Sequence, residues 1–244
     1  MKRLKKITPD NLIQTIVEIR FDINENIPSE AIFGMLYNIL KDRYPNSSKS
    51  DILQIPEIIR NSDPTLRFQA HQTLFNDEVV VGISPSVVSF NCNKKYIGWE
   101  RYYPIMQDEF KNIIDLKILK SIFRVGLRYI SFFENYPNIF NYINMKLQFV
   151  NTTYNLEKTN IRTNISLDDY MSSIRISDKM KLQKDAEILD GSLVDIDVSY
   201  NNPFDADINI LDKHLENVHI KQKELFQNLL GDFINNFNPE YYDE

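Results

Sequence analysis

FRVGLRYISFF, Phe123–Phe133, is the stretch whose reading decides the fold. Its side chains alternate, with Phe123, Val125, Leu127, Tyr129 and Phe133 on one face and Arg124, Gly126, Arg128 and Ile130 on the other. A period of two with one apolar and one polar face is the pattern of an antiparallel strand laid on a core. Upstream, NLIQTIVEIRFDI (11–23) reads as a first strand. A helix follows, opened near Pro28 and Ser29, carrying Ile32, Phe33, Leu36, Leu40 and Tyr44, and closed by Pro45. The polar stretch from Asn46 to Pro64 reads as a long loop. LRFQAHQTLF, EVVVGISP and SVVSFNCN then predict three strands, turning at Asn76-Asp77 and Pro85-Ser86. A second helix is expected after Pro104, with Ile105, Phe110, Ile113, Ile114 and Leu116 on its apolar face.

Downstream, NMKLQFVNTTY, NIRTNISL, MSSIRIS, MKLQKDAEIL and SLVDIDVSY form a second strand-rich set. One long amphipathic helix spans about Ile208 to Phe237, its stripe built from Leu211, Leu215, Val218, Leu225, Leu229 and Phe233. Runs of strands broken by few helices predict an α+β fold. The expected sheet is mainly antiparallel, in two meanders, with three main helices packed on it. The periodicity breaks in NYPNIFNYIN (135–144), which divides an N-terminal half, 1–134, from a C-terminal half, 145–244, of one compact unit. No internal repeat is visible in the residues.

The chain has 244 residues, 43% of them hydrophobic and 25% charged, an ordinary globular composition. Its net charge of −6 supplies no domain-wide basic field for phosphate, so general nucleic-acid binding is not expected. A single cysteine, Cys92, excludes an internal disulfide framework and a cysteine-built zinc site, which points to the cytoplasm. The basic start MKRLKK is not followed by an apolar segment, unlike a secretory signal. No apolar run approaches the roughly 20 residues that cross a bilayer. MKRLKK and the acidic end EYYDE read as solvated tails.

The chain contains only six glycines, none in GxGxxG or GxxxxGK spacing, so neither phosphate-cradling loop is present. GxSxG is also missing. His214 and His219 are five residues apart, on divergent sides of a helix, where metal pairs use three or four. They read as helix-surface or partner-contact residues, and His71 as a solvated or hydrogen-bonded strand residue beside Arg67, Gln69 and Thr73. No catalytic residue, cofactor or metal is implied.

Three constellations remain. The simplest reading of Arg124 and Arg128 pairs them across the sheet with Asp195 and Asp197 of SLVDIDVSY. The sharper one has the arginines bind a phosphate or carboxylate beside the notch left by Gly126, while the aspartates share a hard cation. In YIGWERYY (96–103), Trp99 and Arg101 among three tyrosines have the composition of an interface hot spot, or of an indole buried at a helix entry. The last helix, about 45 Å long, carries further apolar residues at Phe226, Leu230, Ile234 and Phe237, which offer a surface to a protein partner or second copy.

NLIQTIVEIRFD, PSEAIFGMLYNILKDRYP, YIGWERYYPI and FRVGLRYIS, with the late DIDV strand and closing helix, together resemble a sporadically distributed prokaryotic family. Its members have about 250 residues, close to the 244 of this chain, and no assigned function. The similarity runs over nearly the whole chain, most specifically in the G-W of 96–103 and R-x-G-L-R-Y of 124–129. Such a distribution implies mobile genes, in defence or toxin–antitoxin contexts, and it transfers no catalytic residue. The expected function is a non-enzymatic interaction or regulatory protein. The alternative is a protein that binds or processes a small ligand or nucleotide at the Arg/Asp sheet face.

Overall fold

The computed structural model describes residues 3–145, 158–184 and 186–242. Their fold is α+β and mostly antiparallel. β1 (Leu4–Lys6) and β2 (Leu12–Ile23) precede α1 (Ala31–Leu40), β3 (Asn46–Lys49) and α2 (Glu57–Ser62). A meander of β4 (Gln72–Phe75), β5 (Val79–Ser84) and β6 (Val87–Cys92) leads through α3 (Trp99–Asp115) to β7 (Leu119–Glu134). β8 (Asn160–Leu167), β9 (Tyr170–Lys184), β10 (Glu187–Tyr200) and β11 (Phe204–Asp205) come next, then α4 (Ile208–Leu230) and β12 (Glu240–Tyr241). Hydrogen-bonded neighbours run β3-β4-β5-β6-β2-β7-β10-β9-β8, with β11 on β7, while β1 pairs with β12.

The chain divides into two compact units, each assembled from separate segments. One holds residues 14–127 and 199–218. In it Val17 and Ile19 of β2 face Phe90 and Val88 of β6, and these in turn face Val81 and Ile83 of β5. All six side chains are buried, as alternation requires. α3 lays Tyr102, Met106, Phe110 and Ile113 on this surface, and Phe110 meets Phe90 edge-on at 5.0 Å. Burying a ring of that size contributes about 2–3 kcal/mol. The predicted Asn76 turn is closed by its own side chain, whose Oδ1 accepts from the N–H groups of Glu78 and Val79.

The other unit holds residues 1–13, 128–198 and 219–244. Its centre is aromatic: Phe133 lies 6.4, 5.8 and 5.4 Å from Phe226, Phe233 and Phe237, and Tyr136 lies 4.8 Å from Phe233. Phe226, Leu230, Ile234 and Phe237, which the sequence offered to a partner, are therefore buried inside their own unit.

Several expectations are corrected. The supposed loop 46–64 contains β3, a 3-10 turn (Asp51–Gln54) and α2. LRFQAHQTLF is a strand only from Gln72, because Leu66 and Gln69 close turns instead. α3 begins five residues before Pro104, entered at Gly98 with φ +85°. Pro104 then lies inside the helix, where it removes one backbone hydrogen bond. MSSIRIS and MKLQ are one strand, β9, and the residues of AEIL open β10. The last helix changes to a 3-10 turn at Gly231, with φ +52°. The described parts of the two tails pair with each other: Leu4 pairs with Tyr241 and is buried, and the exposed Lys6 forms an ion pair with Glu240 at 3.0 Å. All but the first two residues of the strand expected in NMKLQFVNTTY lie outside the described residues.

Candidate functional site

β7 positions both arginines, and each meets an acid in its own unit. Arg128 donates through Nε to Asp195 Oδ1 at 2.8 Å and through Nη2 to Oδ2 at 2.6 Å, a two-pronged pair. Asp195 keeps 8% of its side chain exposed, Arg128 40%. Arg124 instead reaches Glu18 of β2, its Nη1 lying 3.1 Å from Oε1. That same oxygen accepts from Arg20 Nε at 2.6 Å. Asp197 is half-buried and engaged in interactions of its own.

The notch at Gly126 is filled from within the strand. A Cβ there would collide with the Arg124 guanidinium, which lies over the glycine backbone. Phe123 also departs from strict alternation: it is half-buried and lies 6.1 Å from Phe68, whose face carries the Arg20 guanidinium at 4.0 Å. Glu18, Arg20 and Phe68 were not legible as a group, since only the folded sheet gathers residues so far apart in sequence.

Trp99 is half-buried at the entry of α3, stacked on Tyr103 at 5.1 Å. Arg101 is exposed and ion-paired with Glu78. Deeper in the same unit, Glu109 is ion-paired with Arg43 at 2.8 Å, and burial holds its carboxyl above the usual range against the lowering effect of Arg43. In the other unit Lys223 donates to the Lys5 carbonyl at 2.9 Å, and burial brings its ammonium down to about 8. His219, expected at the helix surface, is buried, and burial and then Lys223 bring it down to about 3.

The feature the sequence did not announce is a cavity of about 110 Å³ beside the start of α1, walled by Phe33, Leu53, Ile83 and Pro85, with Ser29, Glu30, His71, Gln72 and Ser84 completing it. Arg60 backs the histidine, its Nη1 lying 2.8 Å from Nε2 and 3.3 Å from Nδ1. Burial first, and then this guanidinium, depress the His71 pKa, so the ring is neutral at pH 7. Arg60 Nε and Ser84 Oγ are buried without a hydrogen-bond partner among the described residues. Among those residues no group of three or more His, Cys, Asp or Glu side chains is placed to hold a metal ion, and no helix is long and apolar enough to cross a membrane.

The surface around this cavity is unusual for a different reason. α1, AIFGMLYNIL, contains no charged residue, although Met35 and Tyr37 are 39% and 41% exposed. Leu53 and Ile59 are also exposed, and Ile58 stands 80% in solvent. α2 buries none of its residues. Compared with models of known protein families and with curated proteins, the chain matches none.

Proposed function

We propose that the chain is a non-enzymatic interaction protein that binds a second copy of itself through the outer side of α1 and the apolar residues of α2. The observation that carries this reading is a ten-residue helix with no charge whose outer side is nevertheless exposed. Helices apolar all round are normally buried, and exposed apolar surface of this kind marks interaction sites. The α2 segment Glu57-Ile58-Ile59-Arg60 adds a reason for self-pairing. Laid antiparallel about a two-fold axis between the isoleucines, it sets apolar against apolar. Ion pairs inside the sheet occupy Arg128 and Arg124, which removes the main support for a catalytic sheet face.

Sedimentation equilibrium tests the reading. The wild type is expected to dimerise reversibly at micromolar concentration. Ile58→Glu should be monomeric while melting at the wild-type temperature, since Ile58 stands 80% exposed in the single chain. A wild type that stays monomeric over the whole range overturns the proposal.

A further inference from the structure

We propose that the β1–β12 ribbon is a proton-operated clasp, shut at neutral pH, from which β1 lifts off α4 when His219 gains a proton. This goes beyond the interface reading and involves only the unit made of residues 1–13, 128–198 and 219–244. β1 has three residues and β12 two, and the pair forms a sheet of its own, apart from the ten-stranded one. A two-stranded ribbon is marginal by itself. What holds this one down is the buried Leu4 side chain and two contacts from α4. Gln227 Oε1 accepts from the Leu4 N–H at 3.3 Å, and Lys223 Nζ donates to the Lys5 carbonyl at 2.9 Å.

His219, Lys223 and Gln227 follow one another at four-residue spacing, so they form a polar stripe along one side of α4. All three are buried. The charges acting on the stripe are Lys223 of α4 and Arg3 of β1, which both repel an imidazolium, and Asp10 after β1, which favours the Lys223 ammonium. Of the other charged groups on the ribbon, Lys6 and Glu240 pair with each other, and Lys5 joins Arg3 over the Tyr242 ring, at 5.8 and 4.4 Å. A protonated His219 is therefore a third cation in a buried place that has one carboxylate. Arg3 rides on β1, so lifting the strand removes a repelling charge and admits water in one movement. Burial first, then Lys223 and Arg3, bring His219 down to about 3 in the closed clasp, against 6.5 as the ordinary value. Between those values the open form binds a proton that the closed form refuses, so opening is favoured as pH falls.

The test is amide hydrogen exchange of the full chain, read by NMR and corrected for intrinsic rates, at pH 7 and at pH 5, where carboxylates stay largely ionised. The reporters are the N–H groups of Leu4, Thr8 and Tyr242, bonded to Gln227 Oε1 and to the carbonyls of Phe237 and Arg3. They should be roughly a hundredfold less protected than the Ile174 and Ile176 amides inside β9, the mark of local rather than global opening. Their opening constant should rise about twentyfold from pH 7 to pH 5. His219→Gln has no proton to gain there and should hold the change within about threefold. Leu4→Ala, which loosens the ribbon without touching the titrating group, should raise the constant roughly tenfold at pH 7 and keep the twentyfold rise. The Ile58→Glu protein should respond as the wild type does, which separates the clasp from dimerisation. Equal protection of the ribbon and β9 amides, no rise between pH 7 and pH 5, or the same rise in a folded His219→Gln protein would each overturn the proposal.

Discussion

Lys223 shows how far a single residue can govern the pH response. Its ammonium titrates near 8 in the folded chain, against 10.5 as the ordinary value. Below pH 8 both states are protonated and the native state bears the whole burial penalty, about 3 kcal/mol. From pH 8 to about 10 the unfolded chain keeps a proton that the native chain has released, so stability rises with pH. Urea midpoints at pH 7.5, 8.5 and 9.5 should therefore increase, and Lys223→Met should flatten the rise. His219 acts on the acid side in the same sense: its folded value of about 3 means that stability falls as pH drops below 6.5.

The Arg128–Asp195 pair makes a prediction of asymmetry. Asp195 is buried and Arg128 is not. Removing the arginine strands a buried carboxylate, whereas removing the aspartate leaves an arginine that can turn toward water. Arg128→Met should cost about 2–3 kcal/mol and Asp195→Leu about 1 kcal/mol less, read from chemical unfolding. The acid partner of Arg128 was visible in the alternation of SLVDIDVSY. Glu18, the partner of Arg124, was not, because nothing in a single sequence says which strand lies on the other side of β7.

At the scale of elements, periodicity was a good guide wherever one face is buried. β2, β5, β6 and β10, and the existence of α1, α3 and α4, follow from it. It misled where side chains, rather than pattern, set the ends. α3 starts at a glycine with positive φ ahead of its proline, and α4 stops at Gly231 for the same conformational reason. At Gly231 a Cβ would also meet the Asn144 amide. Gly231→Ala should therefore destabilise the chain by about 1–2 kcal/mol, measured as a lowered thermal midpoint. The cavity and the α1 surface were illegible for another reason. Ser84, His71 and Phe33 have ordinary local contexts, and only tertiary packing decides that a hydroxyl is left unpaired or that a neutral helix faces water.

At the scale of the whole molecule, the order of elements repeats although the residues do not. A strand, a run of three further strands and a helix occur twice, as β2, β4–β6 and α3, then as β7, β8–β10 and α4. In both, the last strand of the run lies beside the first strand of the set, β6 on β2 and β10 on β7. The extra pieces of the first set, α1 with β3 and α2, include the uncharged helix and the exposed isoleucines Ile58 and Ile59. Composition alone had no access to this, since strands with the same burial pattern share no particular residues.

The pairing of β1 with β12 has a consequence for synthesis. A ribosome adds roughly 5–20 residues each second, so Leu4 leaves it many seconds before Tyr241, the residue it will pair with, exists. During that interval a short Leu-Lys-Lys strand with open N–H and C=O groups waits in the nascent chain. The unit formed by 14–127 and 199–218 has all its residues by position 218, whereas the unit containing β1 needs the final stretch. Maturation of these residues thus runs from the middle outward, and β1 is among the last strands to find its place.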